Sequence, residues 1–274
     1  MTYESQLLNV KLQKSKIHFI PDVVYSQVPT LELPNKLLQM DILQPQINEE
    51  MPAVIFVTGG GFISANRARM PQLRMHLAES GYCVASINYR TVPNSTFPAP
   101  IEDVKSAIRF IKAHSKHFNI NPNLVAVIGD SAGGYLTAFA AVTNDSKEFN
   151  VGENLDQSSK IVAAVDLYGI VDISSVVDFP QMFQALNGTP IEKTNPINYI
   201  TEKSAPMLLM HGTADNIVSP IQTDMLFQAL KNAGIEAQRY LIPNANHADD
   251  YWLQDEVFDV IVEFLNHYNN VCSI

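Results

Sequence analysis

Hydrophobic and polar positions follow two kinds of pattern along the chain. Eight short segments are rich in apolar and β-branched residues and are bounded by Gly, Pro, Asn or Asp, which predicts strands. These segments are 16–24, 36–43, 53–58, 82–89, 124–128, 161–168, 206–210 and 236–242. Apolar residues at helical spacing lie between most of them and predict helices at 67–79, 101–117, 135–142, 222–232 and 256–268.

The alternation of strands and helices predicts the fold class. Strands that alternate with helices form βαβ units, so we expect an α/β protein with a mostly parallel sheet of eight strands and helices on both faces. No internal repeat, low-complexity stretch or linker interrupts the pattern. Residues 1–274 are therefore expected to form a single domain.

One interval, 172–204, breaks this alternation before the strand at 206–210. It carries three prolines and scattered aromatic residues without a clear period. An excursion of this length favours a lid or pocket wall, with an ordinary surface insertion as the alternative. The aromatic residues Phe179, Phe183 and Tyr199 are candidates for lining an acyl or alcohol pocket, although each alone fits simple packing.

Composition narrows the class of protein. The chain of 274 residues has 46% hydrophobic residues, which is normal for a globular protein with a large core. Its net charge of -10 argues against nucleic acid and anionic membranes as partners. With only Cys83 and Cys272 a disulfide framework is not expected, and neither a signal peptide nor a membrane-length apolar stretch is visible. We expect a cytoplasmic protein.

A serine lies at a sharp turn between a predicted strand and a predicted helix. The residues from Gly129 to Gly133 read Gly-Asp-Ser-Ala-Gly and follow the strand at 124–128 directly. In this context a G-x-S-x-G pattern places a nucleophilic serine on a strained turn, where the glycines leave room for the backbone. Ser131 is therefore the candidate nucleophile.

A nucleophilic serine needs a base and an acid that orients the base. In α/β-hydrolases, whose nucleophile this turn resembles, the acid and then the histidine follow the serine in the chain. Asp215 comes directly after the strand at 206–210, where an acid of this kind belongs. A turn aspartate that binds local backbone N–H groups is the alternative, and Asp172 is a second candidate acid.

Of the seven histidines, His247 best fits the base, because it lies in the loop after the last predicted strand. His114 and His117 share a helical face, and a solvated face is a more natural interpretation than a metal site. The neighbouring Asp249 and Asp250 indicate a metal only weakly and more naturally cap the last helix. No metal or organic cofactor is expected.

Backbone donors for a developing negative charge are also present. Gly60 and Gly61 belong to a run of three glycines after the third strand, and Ala132 follows the serine at a helix start. Neither glycine cluster has the spacing of a nucleotide-binding loop.

These motifs occur together and in order: Thr58-Gly59-Gly60-Gly61-Phe62, Asn88-Tyr89-Arg90, Phe97-Pro98-Ala99-Pro100 with Glu102-Asp103, Gly129-Asp130-Ser131-Ala132-Gly133-Gly134 and His211-Gly212-Thr213-Ala214-Asp215. From about Leu37 onward the chain resembles the α/β-hydrolase esterases of the hormone-sensitive-lipase and bacterial feruloyl/acetyl-esterase-like groups. The resemblance implies the α/β-hydrolase fold. It also implies a triad and an oxyanion hole, formed by Ser131, Asp215 and His247 and by the backbone of Gly60, Gly61 and Ala132.

The resemblance implies further roles and shows one departure. Arg90 and Asp103 match positions that tie a loop to a helix in such enzymes, and we expect Phe62 and Tyr168 to contact substrate. Thr58 stands where these families usually have a histidine that supports the oxyanion loop. A long N-terminal helical cap is not visible, which favours the compact feruloyl/acetyl-esterase-like group.

The predicted function is a serine carboxylesterase that hydrolyses short acyl esters, including acetylated sugars or hydroxycinnamoyl esters. The same residues would serve a serine peptidase or an arylformamidase-like amide hydrolase. A binding protein on a hydrolase scaffold is a further alternative, although such proteins usually lack a triad member. The expected partner is a small ester substrate, and an edge strand or the terminal helix offers a surface for a homodimer.

Overall fold

A computed structural model describes residues 5–32, 34–144, 146–175 and 188–269. Its strands form one sheet of eight in the order β1-β2-β4-β3-β5-β6-β7-β8. The strands are β1 (Ile17–Val28), β2 (Lys36–Pro45), β3 (Met51–Val57), β4 (Cys83–Ile87), β5 (Ile120–Asp130), β6 (Ala164–Leu167), β7 (Met207–Gly212) and β8 (Ala237–Ile242). All eight predicted strands are present.

The sheet is antiparallel at one end and parallel over the rest. β1 pairs with β2 and β2 with β4 in antiparallel register. From β4 through β3 and β5 to β8, every neighbouring pair is parallel, with Ile55 opposite both Ala85 and Val127 at the centre. The carboxyl ends of β3, β5, β7 and β8 therefore lie at one edge of the sheet, where parallel sheets build sites.

The helices among the described residues connect these strands. They are α1 (Pro71–Glu79), α2 (Ala99–Ala113), α3 (Ser115–Phe118), α4 (Ala132–Val142), α5 (Ile221–Asn232) and α6 (Asp255–Asn269). The helix predicted at 67–79 starts later because Met70 is left-handed, with φ 45°, and Pro71 follows as the first helical residue. The helix predicted at 101–117 starts earlier and is interrupted at His114, where φ is -105°.

Helices cover both faces of the sheet, as the alternation predicts. Successive residues of β3 point to opposite faces, so Ile55 packs in one buried cluster and Phe56 in the other. α2, α4 and α5 pack on the first face, whereas α1 and α6 pack on the second. The predicted α/β fold with a mostly parallel eight-stranded sheet is confirmed.

The interval 172–204 is described only in part. Short 3-10 turns occupy Ile191–Thr194 and Pro196–Tyr199, and the Tyr135 hydroxyl of α4 donates to the Thr194 carbonyl at 2.7 Å. Tyr199 packs its ring against Phe139 rather than standing alone. Phe179 and Phe183, like Cys272 at the other end of the chain, lie outside the described residues. That the interval forms a lid stays a prediction.

In the described part of the chain, no helix combines the length and apolar character that crossing a membrane requires.

Candidate active site

Ser131 lies on the turn between β5 and α4. Its backbone has a positive φ, with φ 53° and ψ -117°, a conformation that costs energy for a residue with a Cβ. The Ser131 N–H donates to the Leu167 carbonyl of β6 at 2.9 Å, which holds the turn in place. A Cβ on Gly133 would lie 2.0 Å from the Val57 carbonyl oxygen, so only glycine lets α4 begin this close to β3.

The structure brings Ser131, His247 and Asp215 together in one hydrogen-bonded array. The Ser131 Oγ lies 2.9 Å from the His247 Nε2, and the His247 Nδ1 lies 2.8 Å from the Asp215 Oδ2. A carboxylate accepts only, so the Nδ1 carries the hydrogen and the Nε2 is left to accept the serine proton. Asp172 is not part of this array, because its Oδ1 accepts from the Ser174 amide and hydroxyl in a local turn.

Asp215 combines the two roles that its sequence position left open. Its Oδ1 accepts from the backbone N–H groups of Ile217 and Val218 at 3.0 and 2.8 Å, as a turn aspartate does. Its Oδ2 faces His247 and also lies 3.3 Å from the Nε2 of the buried His211. Burial raises the pKa of Asp215, but the hydrogen bonds from His211, His247 and Val218 outweigh burial and hold that pKa well below its usual range. The group is therefore a carboxylate.

The loop that carries His247 is tied to the loop that carries Asp215. The Asn246 Oδ1 accepts from the Asn216 N–H at 3.1 Å and from the His247 N–H at 2.7 Å. The Ala214 N–H donates to the Ala245 carbonyl at 3.0 Å. These hydrogen bonds join the two loops and so help to set the distance between the acid and the base.

Two buried aromatic rings support the His247 imidazole. The Tyr168 ring meets it edge-on at 4.8 Å between centroids and in turn packs against Trp252 at 4.3 Å. The Trp252 indole N–H donates to the Asn246 carbonyl at 2.9 Å. Rings on one side and a carboxylate on another leave the imidazole little freedom to rotate.

Asp249 has a different role from the one predicted for it. Its side chain accepts from the Tyr251 N–H at 3.0 Å and caps the short 3-10 turn Asp250–Leu253, one turn before α6. The expectation that it caps the last helix was wrong, because the 3-10 turn intervenes. Among residues with a described position, no three His, Cys, Asp or Glu side chains are grouped as metal ligands would be.

The glycine loop after β3 adopts conformations that only glycine takes readily. Gly60 has φ 145° and Gly61 has φ 60°, and the Gly60 carbonyl accepts from the Ile63 and Ser64 N–H groups. No acceptor within the described chain binds the N–H of Gly60 or Gly61. Ala132 is the first residue of α4, so its N–H has no partner inside the helix. These three amides are available as donors, and their role in an oxyanion hole stays a prediction.

Thr58 does not support this loop with its side chain. The residue is fully buried, and its Oγ1 has no hydrogen-bond partner among the described residues. Its carbonyl instead accepts from the buried Tyr89 hydroxyl at 2.8 Å, and the next amide, that of Gly59, donates to the Asp130 Oδ1 at 2.7 Å. Tyr89 and Asp130 therefore contact the backbone of this loop, whereas the Thr58 side chain does not.

The structure confirms the predicted link between Arg90 and Asp103. The Arg90 guanidinium in the loop after β4 lies 2.7 Å from the Asp103 Oδ1 of α2, and the Arg90 N–H donates to the same carboxylate. Burial raises the pKa of Asp103, whereas the hydrogen bonds and charge of Arg90 lower it. This pair ties the loop to the helix.

Phe62 and Tyr168, the predicted substrate contacts, are both buried, with 4% and 1% of their surface exposed. Phe62 packs edge-on against Tyr135 at 5.3 Å, and Tyr168 packs against His247. Both have a positive φ, 61° for Phe62 and 46° for Tyr168. Contact with substrate stays a prediction for each.

Sequence reasoning missed Asp130, Arg69 and His211. Asp130 stands inside the serine motif, but its partners Gly59 and Arg69 are 71 and 61 residues away along the chain. Only the fold brings such residues together. His211 had a visible signal, since a histidine four residues before the acid faces it when the loop turns.

The sheet order, the strained serine turn and the Ser-His-Asp array define the chain as an α/β-hydrolase. Residues 40–230 match the family model described as BD-FAE. The chain belongs to this family.

Curated relatives and solved structures agree with this assignment. The chain is 31% identical over 218 residues to the probable carboxylic ester hydrolase LipM of Mycobacterium tuberculosis, covering 73% of this chain and 49% of LipM. It is 26% identical over 258 residues to the isoprenylcysteine alpha-carbonyl methylesterase ICME of Arabidopsis thaliana, covering 85% of this chain and 60% of ICME. A truncated carbohydrate esterase from gut microbiota superimposes with a TM-score of 0.83 at 26% identity, covering 95% of this chain and 99% of that one. The chain thus spans about half the length of the curated relatives it matches.

Proposed function

We propose that the protein is a serine carboxylesterase that hydrolyses short-chain acyl esters through an acyl-enzyme. The observation that carries the proposal is the continuous hydrogen-bonded array from Ser131 Oγ through His247 to the Asp215 carboxylate, at 2.9 and 2.8 Å. The distances lie within hydrogen-bond reach, which is what proton transfer from a serine to a histidine requires.

In the proposed reaction, the Ser131 Oγ attacks the ester carbonyl while the His247 Nε2 takes its proton. Asp215 stabilises the imidazolium that forms, and its low pKa keeps it ionised while it does so. The carbonyl oxygen becomes an oxyanion facing the N–H groups of Gly60, Gly61 and Ala132. His247 then protonates the leaving alcohol, and a water molecule repeats the sequence on the acyl-enzyme.

Two features favour a small acyl group. The buried Phe62 follows directly after Gly61, and the buried Tyr168 ring lies against His247, so one bulky side chain follows the glycine loop and another contacts the base. The ester class is supported by the names of the relatives, which are ester hydrolases, and by the similarity to a carbohydrate esterase. Acetyl groups on sugars are therefore the first natural substrates to test.

The proposal is tested by initial rates on p-nitrophenyl acetate, butyrate and octanoate, methyl ferulate and acetylated xylose. Ser131→Ala should lower kcat by about 10⁴-fold or more, because the nucleophile is lost. Ser80→Ala, a matched change at the far end of α1 where the hydroxyl only donates to the His76 carbonyl, should keep full activity.

Rates that are highest on acetate or butyrate would support a small acyl pocket, and rates that rise toward octanoate would contradict it. A wild-type protein that hydrolyses none of these esters, but cleaves formamides or peptides in a Ser131-dependent way, would replace the esterase by an amide hydrolase.

A further inference from the structure

A buried carboxylate joins the serine turn to the glycine loop. Asp130 is the residue before Ser131 and is fully buried. Its Oδ1 accepts the Gly59 N–H at 2.7 Å, and its Oδ2 accepts the Arg69 guanidinium at 2.6 and 3.2 Å. One side chain therefore connects the end of β5 with the loop after β3 and with the segment before α1.

The backbone of the glycine loop packs tightly against this carboxylate. A Cβ on Gly59 would lie 2.5 Å from the Asp130 Oδ2, so the loop backbone rests directly on the carboxyl group. The preceding Thr58 carbonyl is held from the other side by the Tyr89 hydroxyl at 2.8 Å. The Thr58 carbonyl and the Gly59 N–H are therefore both held by hydrogen bonds. The next two amides, those of Gly60 and Gly61, remain available as donors.

Arg69 lies between Asp130 and Tyr168, the residue whose ring contacts the base His247. The guanidinium pairs with Asp130, and the Tyr168 ring packs against His247 at 4.8 Å. Burial raises the pKa of the Tyr168 hydroxyl, and the charge and hydrogen bond of Arg69 oppose this rise. Since Asp130 is completely buried and Arg69 is about one-third exposed, Arg69 supplies the positive charge that a buried carboxylate needs.

We propose that Asp130, paired with Arg69, is the positioning residue that sets the oxyanion loop against Ser131 in this chain. Asp130 takes the supporting role that Thr58 cannot take, because the Thr58 hydroxyl has no partner there among the described residues. Asp130 touches neither substrate nor reacting atoms. It acts through Gly59, whose amide it holds, and thereby fixes the N–H groups of Gly60 and Gly61. The inference rests on the proposed esterase function.

The test compares kcat, KM and inhibitor binding on p-nitrophenyl acetate for wild type, Asp130→Asn, Arg69→Met and Arg69→Lys. A short-chain trifluoromethyl ketone serves as the probe, because its adduct with the serine places an oxyanion among the same donors. We expect Asp130→Asn to lower kcat about 10- to 100-fold, less than the loss of a whole oxyanion donor, with KM within threefold of wild type. Ketone affinity should fall by a similar factor to kcat.

Arg69→Met should lower kcat in the same direction, and Arg69→Lys should recover part of the loss, because it restores the positive charge without the guanidinium fork. Arg69 is partly exposed, so these variants keep the test usable if Asp130→Asn does not fold.

Asp103→Asn is the matched control. Asp103 is also buried and also accepts one backbone N–H and one guanidinium, but it ties α2 to the loop of Arg90. We expect Asp103→Asn to lower thermal stability about as much as Asp130→Asn does, while its kcat and ketone affinity stay within twofold of wild type. If it loses kcat as Asp130→Asn does, the effect is general destabilisation and the inference is wrong.

Folded Asp130→Asn or Arg69→Met protein with unchanged kcat and ketone affinity would also overturn the inference, while leaving the esterase proposal intact. Failure of the esterase proposal would look different, since wild type itself would then turn over no ester and Ser131→Ala would match it.

Discussion

At the scale of single residues, Asp215 illustrates how one carboxylate serves structure and chemistry together. Its Oδ1 accepts hydrogen bonds from backbone N–H groups of its own turn, and its Oδ2 faces His211 and His247. The histidine at position 211 donates from its Nε2 to the Val218 carbonyl at 2.8 Å, which holds it beside the acid. Asp215 is therefore oriented by its own turn and by His211, in addition to its contact with His247.

Asp215→Asn is expected to lower kcat by about 10³- to 10⁴-fold, because the amide cannot accept from the His247 Nδ1 and at the same time keep its oxygen on the turn. The imidazole would then carry its hydrogen on Nε2 and could not accept the serine proton. Steady-state rates on p-nitrophenyl acetate measure the loss. Asp172→Asn, which changes the other candidate acid, should retain activity. The opposite ranking of the two variants would make Asp172 the acid.

Thr58→Val should leave kcat within about threefold of wild type. The two side chains have the same shape, and the Thr58 hydroxyl is buried without a partner among the described residues. Removing an unsatisfied hydroxyl is neutral or stabilising by about 1 kcal/mol. Urea unfolding and ester hydrolysis check both statements, and a tenfold fall in kcat would assign the hydroxyl a part in the loop that its contacts do not indicate.

The nucleophile, acid and base candidates could be predicted because each lies at the end of a recognisable strand. Ser131 also sits within a local motif, and the chain order limits the choice of acid and base. The support of the glycine loop could not be predicted in the same way. Asp130 and Gly59 are 71 residues apart, and nothing in either local sequence indicates that a carboxylate and an amide will meet.

At the scale of elements, α2 carries a row of cations that binds the loop after α4. Lys105, Arg109 and Lys112 are spaced by four and three residues, so they share one helical face. Lys105 donates to the Thr143 and Ser146 carbonyls at 2.9 Å, Arg109 to the Glu153 carbonyl at 3.2 Å, and Lys112 to the Lys160 carbonyl at 2.5 Å. The described residues 146–160 of this loop form no helix or strand, and the row holds them.

Arg109→Met is expected to lower the free energy of unfolding by about 1–3 kcal/mol, because it removes the hydrogen bonds that the buried Arg109 guanidinium donates to the Val151 and Glu153 carbonyls. Amide hydrogen exchange should accelerate in residues 146–160 more than elsewhere. Activity of the folded protein should be retained, since α4 has 11 residues and its far end is about 16 Å from Ser131.

Lys116→Met, on the exposed surface of α3, is the control for Arg109→Met. It should change neither the free energy of unfolding nor the rate of amide hydrogen exchange in residues 146–160. Faster exchange spread evenly over the sheet would argue against a local role of the row.

Element types were predictable from hydrophobic period, whereas several element ends were not. The start of α1 depends on the left-handed Met70, and the break before α3 depends on His114, whose ring stacks on Phe110 and whose Nδ1 lies 2.8 Å from the Phe110 carbonyl. Neither a methionine nor a histidine in the sequence predicts such a backbone conformation. The helix predicted from residue 101 begins instead at Ala99, directly after Pro98.

At the scale of the whole molecule, the buried ionisable groups set how stability varies with pH. Burial raises the pKa of Asp166 to about 7, and nearby His211 and the Gly169 amide oppose this only in part. Its Oδ1 accepts the Gly169 N–H at 2.8 Å, and its Oδ2 has no partner among the described residues, which suits a protonated carboxyl. Burial also lowers the pKa of Lys105 and of Lys112 to about 8.

The direction of each effect follows from which state binds more protons. Between its ordinary value of 3.8 and about 7, Asp166 holds a proton only in the folded protein, so its stabilising contribution is lost as pH rises through this window. The two lysines act oppositely. Between about 8 and 10.5 they are protonated only in the unfolded chain, so their contribution to stability rises with pH. We expect a minimum in the free energy of unfolding near pH 7 to 8, relative to a protein without these groups.

Asp166→Asn isolates the first effect, because asparagine keeps an oxygen for the Gly169 N–H and cannot ionise. The variant and wild type should have similar stability near pH 4. The variant should become more stable than wild type as pH rises, by on the order of 2–4 kcal/mol above pH 7, since each pKa unit corresponds to about 1.4 kcal/mol. Urea unfolding at pH 4.5, 6 and 8 measures the difference. A constant difference across this range would mean that Asp166 is ionised in the folded protein, and its unpartnered oxygen would then need a cation or a donor that its described neighbours do not supply.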